Sequence, residues 1–208
     1  MSRFTAMLQT QRFDDYRYYH QSRINQTLHL VSAVIFLGCY ALLFRHAALA
    51  GLVGWLAMLT RQIGHFFFEP KTYDTVNNAS HEYKESVKVG YNLQRKVVLL
   101  SIWFAAPFVL YFQPAFFGFF NTQEVARGLL YNTSILWLFI GIGAVIFRIV
   151  QLFFIKGVQS GLVWGTKILT DPFHDIKIYH KAPYYLFKGA MYDDMTEWYS
   201  TRTTQQVS

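Results

Sequence analysis

Apolar residues gather in four long stretches along the chain, separated by polar segments. A helix needs about 20 residues to cross the hydrocarbon core of a bilayer. The second stretch reaches that length only if its helix continues through His65 to Phe68. The pattern therefore predicts four transmembrane helices, whose apolar parts cover residues 28–44, 47–59, 97–112 and 134–155.

Only Arg45 and His46 separate the first two stretches, which predicts an antiparallel helical hairpin. The polar and aromatic N-terminal segment has no apolar core of signal-peptide length, so the first helix should remain as an anchor. We expect one all-α integral membrane domain, with amphipathic or short helices in its middle loop and its tail. Its predicted parts are an N-terminal segment, the hairpin, the middle loop, a second helix pair and the tail, at residues 1–27, 28–68, 69–96, 97–155 and 156–208.

The amino-acid composition agrees with a membrane protein. Hydrophobic residues make up 53% of the 208 residues and charged residues 15%, against about 25% charged in ordinary soluble domains. Aromatic residues reach 19%, which suits a chain that meets lipid and its interfaces. The single cysteine, Cys39, excludes an internal disulfide.

Lysine and arginine are unevenly divided between the two predicted sides of the membrane. Sixteen lie in or beside the N-terminal segment, the middle loop and the tail, which ends beyond Arg202, whereas the opposite connections hold only Arg45 and Arg127. Basic loops mark the cytoplasmic side, so both termini and the middle loop are predicted to be cytoplasmic. The net charge of +7 then reflects topology and attraction to anionic lipid, and no nucleic-acid partner is expected.

Two histidines lie on either side of the start of the first apolar helix. Asn25 and His29 are four residues apart and share a helical face, whereas His20 would point away from His29 on an unbroken helix. For the two imidazoles to converge, the chain must turn near Ser22, which is a good helix N-cap.

A histidine and a carboxylate close the second apolar helix, in the segment RQIGHFFFEP. His65 and Glu69 are four residues apart and share a helical face. Ionisable groups at the end of a membrane segment point to function. Because the hairpin is antiparallel, His65 can reach His29; hydrogen bonding to headgroups or backbone is the alternative for any one histidine.

The middle loop holds another histidine, His81, at helical spacing from Asn77 and Glu85. This spacing predicts an amphipathic helix on the membrane surface, or one that turns His81 towards the site.

In the tail, Asp171 before Pro172 predicts a helix start and Pro183 a helix stop. The segment between them contains further candidate groups: His174, Asp175 and His180. A ladder of glycines before it predicts close helix packing: Gly157, Gly161 and Gly165.

A chain rich in imidazoles and poor in carboxylates suggests a transition-metal site. Neutral imidazole suits Zn, Fe or Cu, and two or three histidines with one carboxylate are typical of non-haem Fe(II) oxygenases. No hydrolase, phosphate-loop or dinucleotide motif is present, and the clustered histidines of membrane desaturases are absent too. The available carboxylates, as ligands or as partners of an imidazole N–H, are Glu69, Glu85 and Asp175.

Two spaced motifs flank the hairpin, H-x4-N-x3-H and G-H-x3-E, and comprise His20, Asn25, His29, Gly64, His65 and Glu69. In this order they resemble the Mpo1-like (DUF962) family of 2-hydroxy fatty acid dioxygenase-like membrane proteins, over about residues 14–79. The resemblance implies Fe(II)-dependent dioxygenation in 2-hydroxy fatty acid α-oxidation. It also implies that the three histidines bind iron and that Asn25 and Glu69 support them.

The sequence thus predicts a membrane-embedded oxygenase that uses Fe(II), with Zn or Mn as alternative metals, and O2 to oxidise a fatty-acid-like substrate. Arg23 and Arg61 could hold the substrate carboxylate, or they could be topology signals. Further candidate metal ligands are His81, His174 and His180.

Alternative functions are a haem-b electron carrier with His29 and His65 as axial ligands, and a non-catalytic membrane subunit. The expected partners are membrane lipid and the fatty-acid-like substrate, and the alternatives to a monomer are a homo-oligomer or a complex with another membrane protein. The expected location is a bacterial inner membrane, with the endoplasmic reticulum as the alternative, and the active site faces the cytoplasm.

Overall fold

The structure is a computed structural model that describes residues 2–69 and 71–193; Met1, Pro70 and residues 194–208, including Arg202, lie outside the described residues. Its named elements are all helices, as predicted for the fold class. They are α1 Arg3–Tyr19, α2 Arg23–Leu42, α3 Ala47–Ile63 with a π-helical turn at Gly64–Phe68, α4 His81–Val87, α5 Leu93–Phe112, a 3-10 turn at Phe116–Gly118, α6 Thr122–Val125, α7 Leu129–Lys156, α8 Val158–Tyr179 and α9 Ala182–Phe187.

Four of these helices are long and apolar enough to cross a membrane, and they match the four predicted stretches. The second candidate span runs over Ala47–Phe68, which confirms that the helix continues through His65. The hairpin is also confirmed, because α2 ends at Leu42 and α3 begins at Ala47. Many large apolar side chains of these helices are exposed, as a lipid-facing surface requires, among them Phe104, Phe108, Ile146 and Phe147.

Small residues let the helices around the hairpin approach closely. A Cβ at Gly51 of α3 would lie only 1.9 Å from the Ser134 carbonyl oxygen of α7. A Cβ at Gly161 of α8 would lie 2.6 Å from the Ile149 carbonyl oxygen of α7. Between α2 and α3, the Ser32 hydroxyl donates a hydrogen bond to a backbone carbonyl at 2.7 Å. Backbones this close make the relative position of the helices sensitive to one added methyl group.

The tail differs from its prediction. Helix α8 continues through Asp171 and Pro172, which the sequence had indicated as a helix start, and ends at Tyr179. Ion pairs hold Asp171 where the proline interrupts the backbone hydrogen bonds: its carboxylate lies 2.7 Å from the ammonium of Lys167 one turn earlier. Pro183 occupies the first turn of α9, so it begins a helix and does not end one.

The N-terminal segment and the middle loop also differ from their predictions in detail. Residues before the first span form the 17-residue helix α1, which the sequence pattern did not indicate. In the middle loop, α4 begins only at His81, so Asn77 shares no helix with it. Asn77 instead lies in a turn, where its backbone N–H and its side-chain amide both contact the Asp74 carboxylate at 3.0 Å.

Candidate metal centre

Two histidines from the hairpin face each other across its inner side. His29 lies on α2 and His65 on the π-helical turn that ends the α3 span. Their Nε2 atoms are 3.2 Å apart, and their ring planes are nearly perpendicular. The predicted meeting of these two imidazoles is therefore confirmed.

A third histidine joins them from the end of α1. His20 caps the C-terminus of α1, and Ser22 caps α2 by accepting from the Asn25 N–H, so the chain turns where the sequence predicted. The His20 ring centroid lies 4.1 Å from that of His29 and 5.3 Å from that of His65. One ring nitrogen of each histidine lies within 4.8 Å of the others. We refer to His20, His29 and His65 as the histidine triad.

The triad is deeply buried, with 5%, 0% and 9% of His20, His29 and His65 exposed. Burial, followed by the neighbouring His29, lowers the pKa of His20 well below its ordinary value. His20 is therefore neutral near pH 7, which is the form that binds metals. Its Nε2 atom is buried and has no hydrogen-bond partner among the described residues. An unsatisfied buried nitrogen beside two other imidazoles is the arrangement that a metal ion would complete.

Two of the triad histidines have hydrogen-bond partners at their Nδ1 atoms, and a carboxylate lies near the Nδ1 atom of the third. The Glu69 carboxylate accepts from His65 Nδ1 at 2.7 Å, and the Tyr179 hydroxyl lies 2.8 Å from His20 Nδ1. The Asp175 carboxylate lies 3.5 Å from His29 Nδ1. Histidine ligands of metals usually donate their second N–H to such groups, which fixes the tautomer and orients the ring. The arrangement leaves the Nε2 atoms for a metal and makes Glu69 the partner that orients His65.

These partners have shifted pKa values because they are buried with the triad. Burial raises the pKa of Glu69, an effect that Lys88 and Lys96 partly offset. Burial raises the pKa of Tyr179 well above its ordinary value, so Tyr179 remains a neutral hydroxyl that can accept from His20. Burial also raises the pKa of Asp175, and the nearby guanidinium of Arg61 acts in the opposite direction.

Asn25 supports the triad through the backbone. It is fully buried, and its amide donates to the Tyr19 carbonyl at 2.7 Å, which holds the turn that carries His20. A Cβ at Gly64 would lie 2.1 Å from the Asn25 Oδ1 atom, so only glycine allows this approach. Gly64 and Asn25, which belong to the two different motifs, therefore form one close contact.

Arg23 and Arg61, which were predicted to bind the substrate, each form ion pairs with carboxylates of the protein. Arg61 is paired with Asp175 at 3.2 Å and with Asp171 at 3.7 Å. Arg23 is paired with Asp193 at 3.0 Å and lies over the Tyr185 ring. Because both guanidinium groups already have carboxylate partners, a substrate carboxylate would have to compete with these partners. Arg61 instead holds the carboxylate that faces His29.

The other candidate histidines do not join the triad. His81 lines a small cavity that His65 and Glu69 also line. His174 is half-buried on α8, where burial and then Arg12 lower its pKa. His180 is exposed, and its Nδ1 atom contacts the Lys177 carbonyl at 2.9 Å. Among the described residues, only the triad brings three possible ligands together.

The spacing of the triad fits one metal ion. Two nitrogens bound at neighbouring positions of one ion are about 3 Å apart, because each metal–nitrogen bond is about 2.0–2.1 Å. His29 and His65 already have this spacing, whereas the three ligand nitrogens, which lie within 4.8 Å of one another, would have to move closer by up to about 1.5 Å.

Sequence reasoning missed Tyr179 and did not place Asp175. Asp171, Asp175 and Tyr179 follow one another at four-residue intervals, so they share a face of α8. That face packs against α1 and α2: Arg12 of α1 lies 3.6 Å from Asp171, and Tyr16 stacks on Tyr179. The helical spacing was a usable signal, because the segment from Asp171 to Pro183 was itself predicted to be helical.

Comparisons of the chain with protein-family models, with curated proteins and with solved structures gave no match. The resemblance to the Mpo1-like family therefore remains a prediction that rests on the two spaced motifs.

Proposed function

We propose that this protein is an integral membrane oxygenase that holds one Fe(II) ion at the histidine triad and oxidises a fatty-acid-like substrate with O2. The observation that carries the proposal is the convergence of three buried imidazoles with their Nδ1 atoms turned to Glu69, Asp175 and Tyr179. A set of neutral imidazoles with open positions suits non-haem Fe(II), and it also accepts Zn or Mn.

The position of the triad supports a lipid-like substrate. His65 lies in the last turn of an apolar helix that is long enough to span a bilayer, and His29 lies near the start of its partner. Imidazoles at the ends of two such helices are within reach of the polar head of an amphiphile whose chain stays among apolar helices. The site would then take its substrate from the membrane.

A bound metal would supply Lewis acidity and a template for substrate and O2. The protein's own residues prepare the site for it. The Glu69 carboxylate accepts from His65 Nδ1 and so leaves the Nε2 lone pair of His65 for a metal, and the Tyr179 hydroxyl orients the ring of His20. Asn25 holds the turn before α2, and Arg61 holds Asp175 beside His29. Burial excludes bulk water from the triad and keeps His20 neutral.

The membrane location and orientation are part of this proposal. The basic residues beside the four candidate spans favour a cytoplasmic side that includes the triad. A bacterial inner membrane is the proposed location, with the endoplasmic reticulum as the alternative.

Metal analysis and turnover test the function. The protein purified without oxygen should contain about one iron per chain, and with O2 and a 2-hydroxy fatty acid it should release CO2 and the acid one carbon shorter. His65→Ala should abolish iron binding and turnover, whereas the matched variant His180→Ala, which changes an exposed histidine, should alter neither. Retention of iron and turnover by His65→Ala would overturn the proposal, and so would a wild-type protein with zinc alone and no O2 uptake.

A further inference from the structure

A small cavity lies directly beside the histidine triad, between the end of the α3 span and the start of α5. His65 and Glu69 form part of its wall. The other polar residues around it come from the middle loop and the first turn of α5, and they are Lys71, His81, Glu85, Lys88 and Lys96. We refer to this as the lysine cavity. With three lysines against two glutamates, its formal charge is positive.

Both carboxylates of the lysine cavity already have partners. Glu69 accepts from His65, as described above. Glu85 accepts from the Leu93 backbone N–H at 2.8 Å, at the start of α5, and pairs with Lys88 at 3.3 Å. These bonds hold both glutamates to the wall, and neither lies within ion-pair distance of Lys96.

Among the described residues, Lys71 and Lys96 are the lysines of the cavity without an ion-pair partner, and Lys71 is exposed. Lys96 is half-buried, and it forms no ion pair within 4 Å with any carboxylate of residues 2–69 and 71–193. Lys88, by contrast, is paired with Glu85 and lies 3.5 Å from the centroid of the Tyr19 ring. A partly buried ammonium without a counter-ion is costly, and an anion that enters the cavity would relieve the cost.

The surroundings of the lysine cavity suit an anion attached to an apolar chain. The cavity adjoins two candidate membrane spans, Ala47–Phe68 and Leu93–Phe112. Apolar side chains on these spans near the cavity are exposed, with 76% of Phe67 and 48% of Val97 accessible. The cavity volume of about 10 Å³ holds one water-sized group, so an amphiphile could place one carboxylate oxygen in the cavity and its tail along these apolar surfaces.

We propose that the lysine cavity binds the carboxylate of a single-chain lipid acid, with Lys96 as its main counter-ion and Lys71 at its exposed rim. The inference rests on the proposed function in one respect, that the bound acid is the substrate whose head reaches the triad. It gives Lys96 the substrate-binding role that the sequence suggested for Arg23 and Arg61.

The experiment measures binding with turnover excluded. The full-length protein is titrated calorimetrically without oxygen with 2-hydroxyoctanoate and, separately, with octane-1,2-diol, which has no charge. Each titration is repeated after a chelator has removed bound metal, so that binding to the metal does not mask binding to the cavity. Lys96→Gln should weaken binding of the acid about 10- to 100-fold, as expected for a lost hydrogen bond to a charged group, and leave binding of the diol unchanged.

Two matched variants serve as controls. Lys96→Arg keeps the charge and should retain acid affinity to within about threefold. Lys177→Gln removes an exposed lysine of α8 outside the cavity and should change nothing. The short acid 2-hydroxybutyrate has the same head without the tail and should bind far more weakly; equal affinity would overturn the assignment to a lipid acid.

The outcomes separate this inference from the proposed function. If the protein binds iron and turns over the acid, but Lys96→Gln binds it as well as Lys177→Gln does, the lysine cavity is not the carboxylate site and the oxygenase proposal stands. If the protein binds no metal, yet Lys96→Gln still loses acid affinity, the oxygenase proposal fails and the anion site stands.

Discussion

The contact between Gly64 and Asn25 offers the sharpest test of how the fold builds the histidine triad. In Gly64→Ala the new methyl carbon would lie 2.1 Å from the Asn25 Oδ1 atom and 3.1 Å from its Cγ atom. Asn25 is fully buried and holds the Tyr19 carbonyl, so it cannot swing into solvent. The methyl group must therefore push α2 and α3 apart by about an ångström or break the bond to Tyr19.

The cost follows from these contacts. Overpacking a buried site costs about 1–3 kcal/mol, and the bond between Asn25 and Tyr19 contributes about 1 kcal/mol. The helical preference for alanine over glycine returns about 1 kcal/mol. We expect Gly64→Ala to lower the free energy of unfolding by about 1–3 kcal/mol. Because Gly64 precedes His65 and Asn25 supports His20, we also expect metal affinity to fall about tenfold or more.

The assay compares thermal unfolding in detergent and metal affinity by chelator competition. The matched control is Gly38→Ala, since a Cβ at this position of α2 has nothing within 4 Å. A double-mutant cycle with Asn25→Ala should show that Gly64→Ala costs much less once the amide is gone. If Gly64→Ala and Gly38→Ala are equally stable and bind metal equally well, the close approach is not what aligns the triad.

Three further predictions concern groups around the triad. Glu69→Gln should weaken metal binding about 10- to 100-fold in a chelator competition, with the exposed Glu82→Gln as the control. Arg61→Gln should lower the free energy of unfolding by about 3–5 kcal/mol, because it leaves the buried carboxylate of Asp175 without its close cationic partner, whereas Asp171 keeps Lys167. Burial lowers the pKa of Lys167, but the carboxylates of Asp15 and Asp171 outweigh it and raise the pKa above its ordinary value of about 10.4. Its contribution to stability should be complete below that pH and lost as the pH rises through the higher folded-state pKa.

Controls separate these effects from a general loss of charge. Arg95→Gln alters an exposed arginine at the start of α5 and should leave the unfolding temperature unchanged. If Arg61→Gln also leaves the unfolding temperature unchanged, the ion-pair argument is wrong. For Lys167, unfolding is followed by circular dichroism between pH 7 and 11. Lys167→Met should be less stable than wild type at pH 7–9 and should fall less steeply above pH 10, whereas parallel curves would refute the linkage.

The sequence predicted most of the triad because the relevant information is local. His29 and Asn25 share a helical face, Ser22 stops one helix and starts the next, and the length of a membrane span extends α3 through His65. Each conclusion depends on residues within a few turns of each other, or on the thickness of a bilayer. The hairpin then brings His29 to His65 because a very short link leaves no other arrangement.

The tertiary structure alone decided which groups surround the triad. Tyr179 and Asp175 reach His20 and His29 from α8, which is more than a hundred residues distant in the chain. Arg61 looked available for a substrate until its pairing with Asp175 was visible. Helix periodicity specifies which side chains share a face, but the partner of that face depends on how the helices pack. The pairing of Gly64 with Asn25 is of the same kind, since only the packed helices show that one methyl group would not fit.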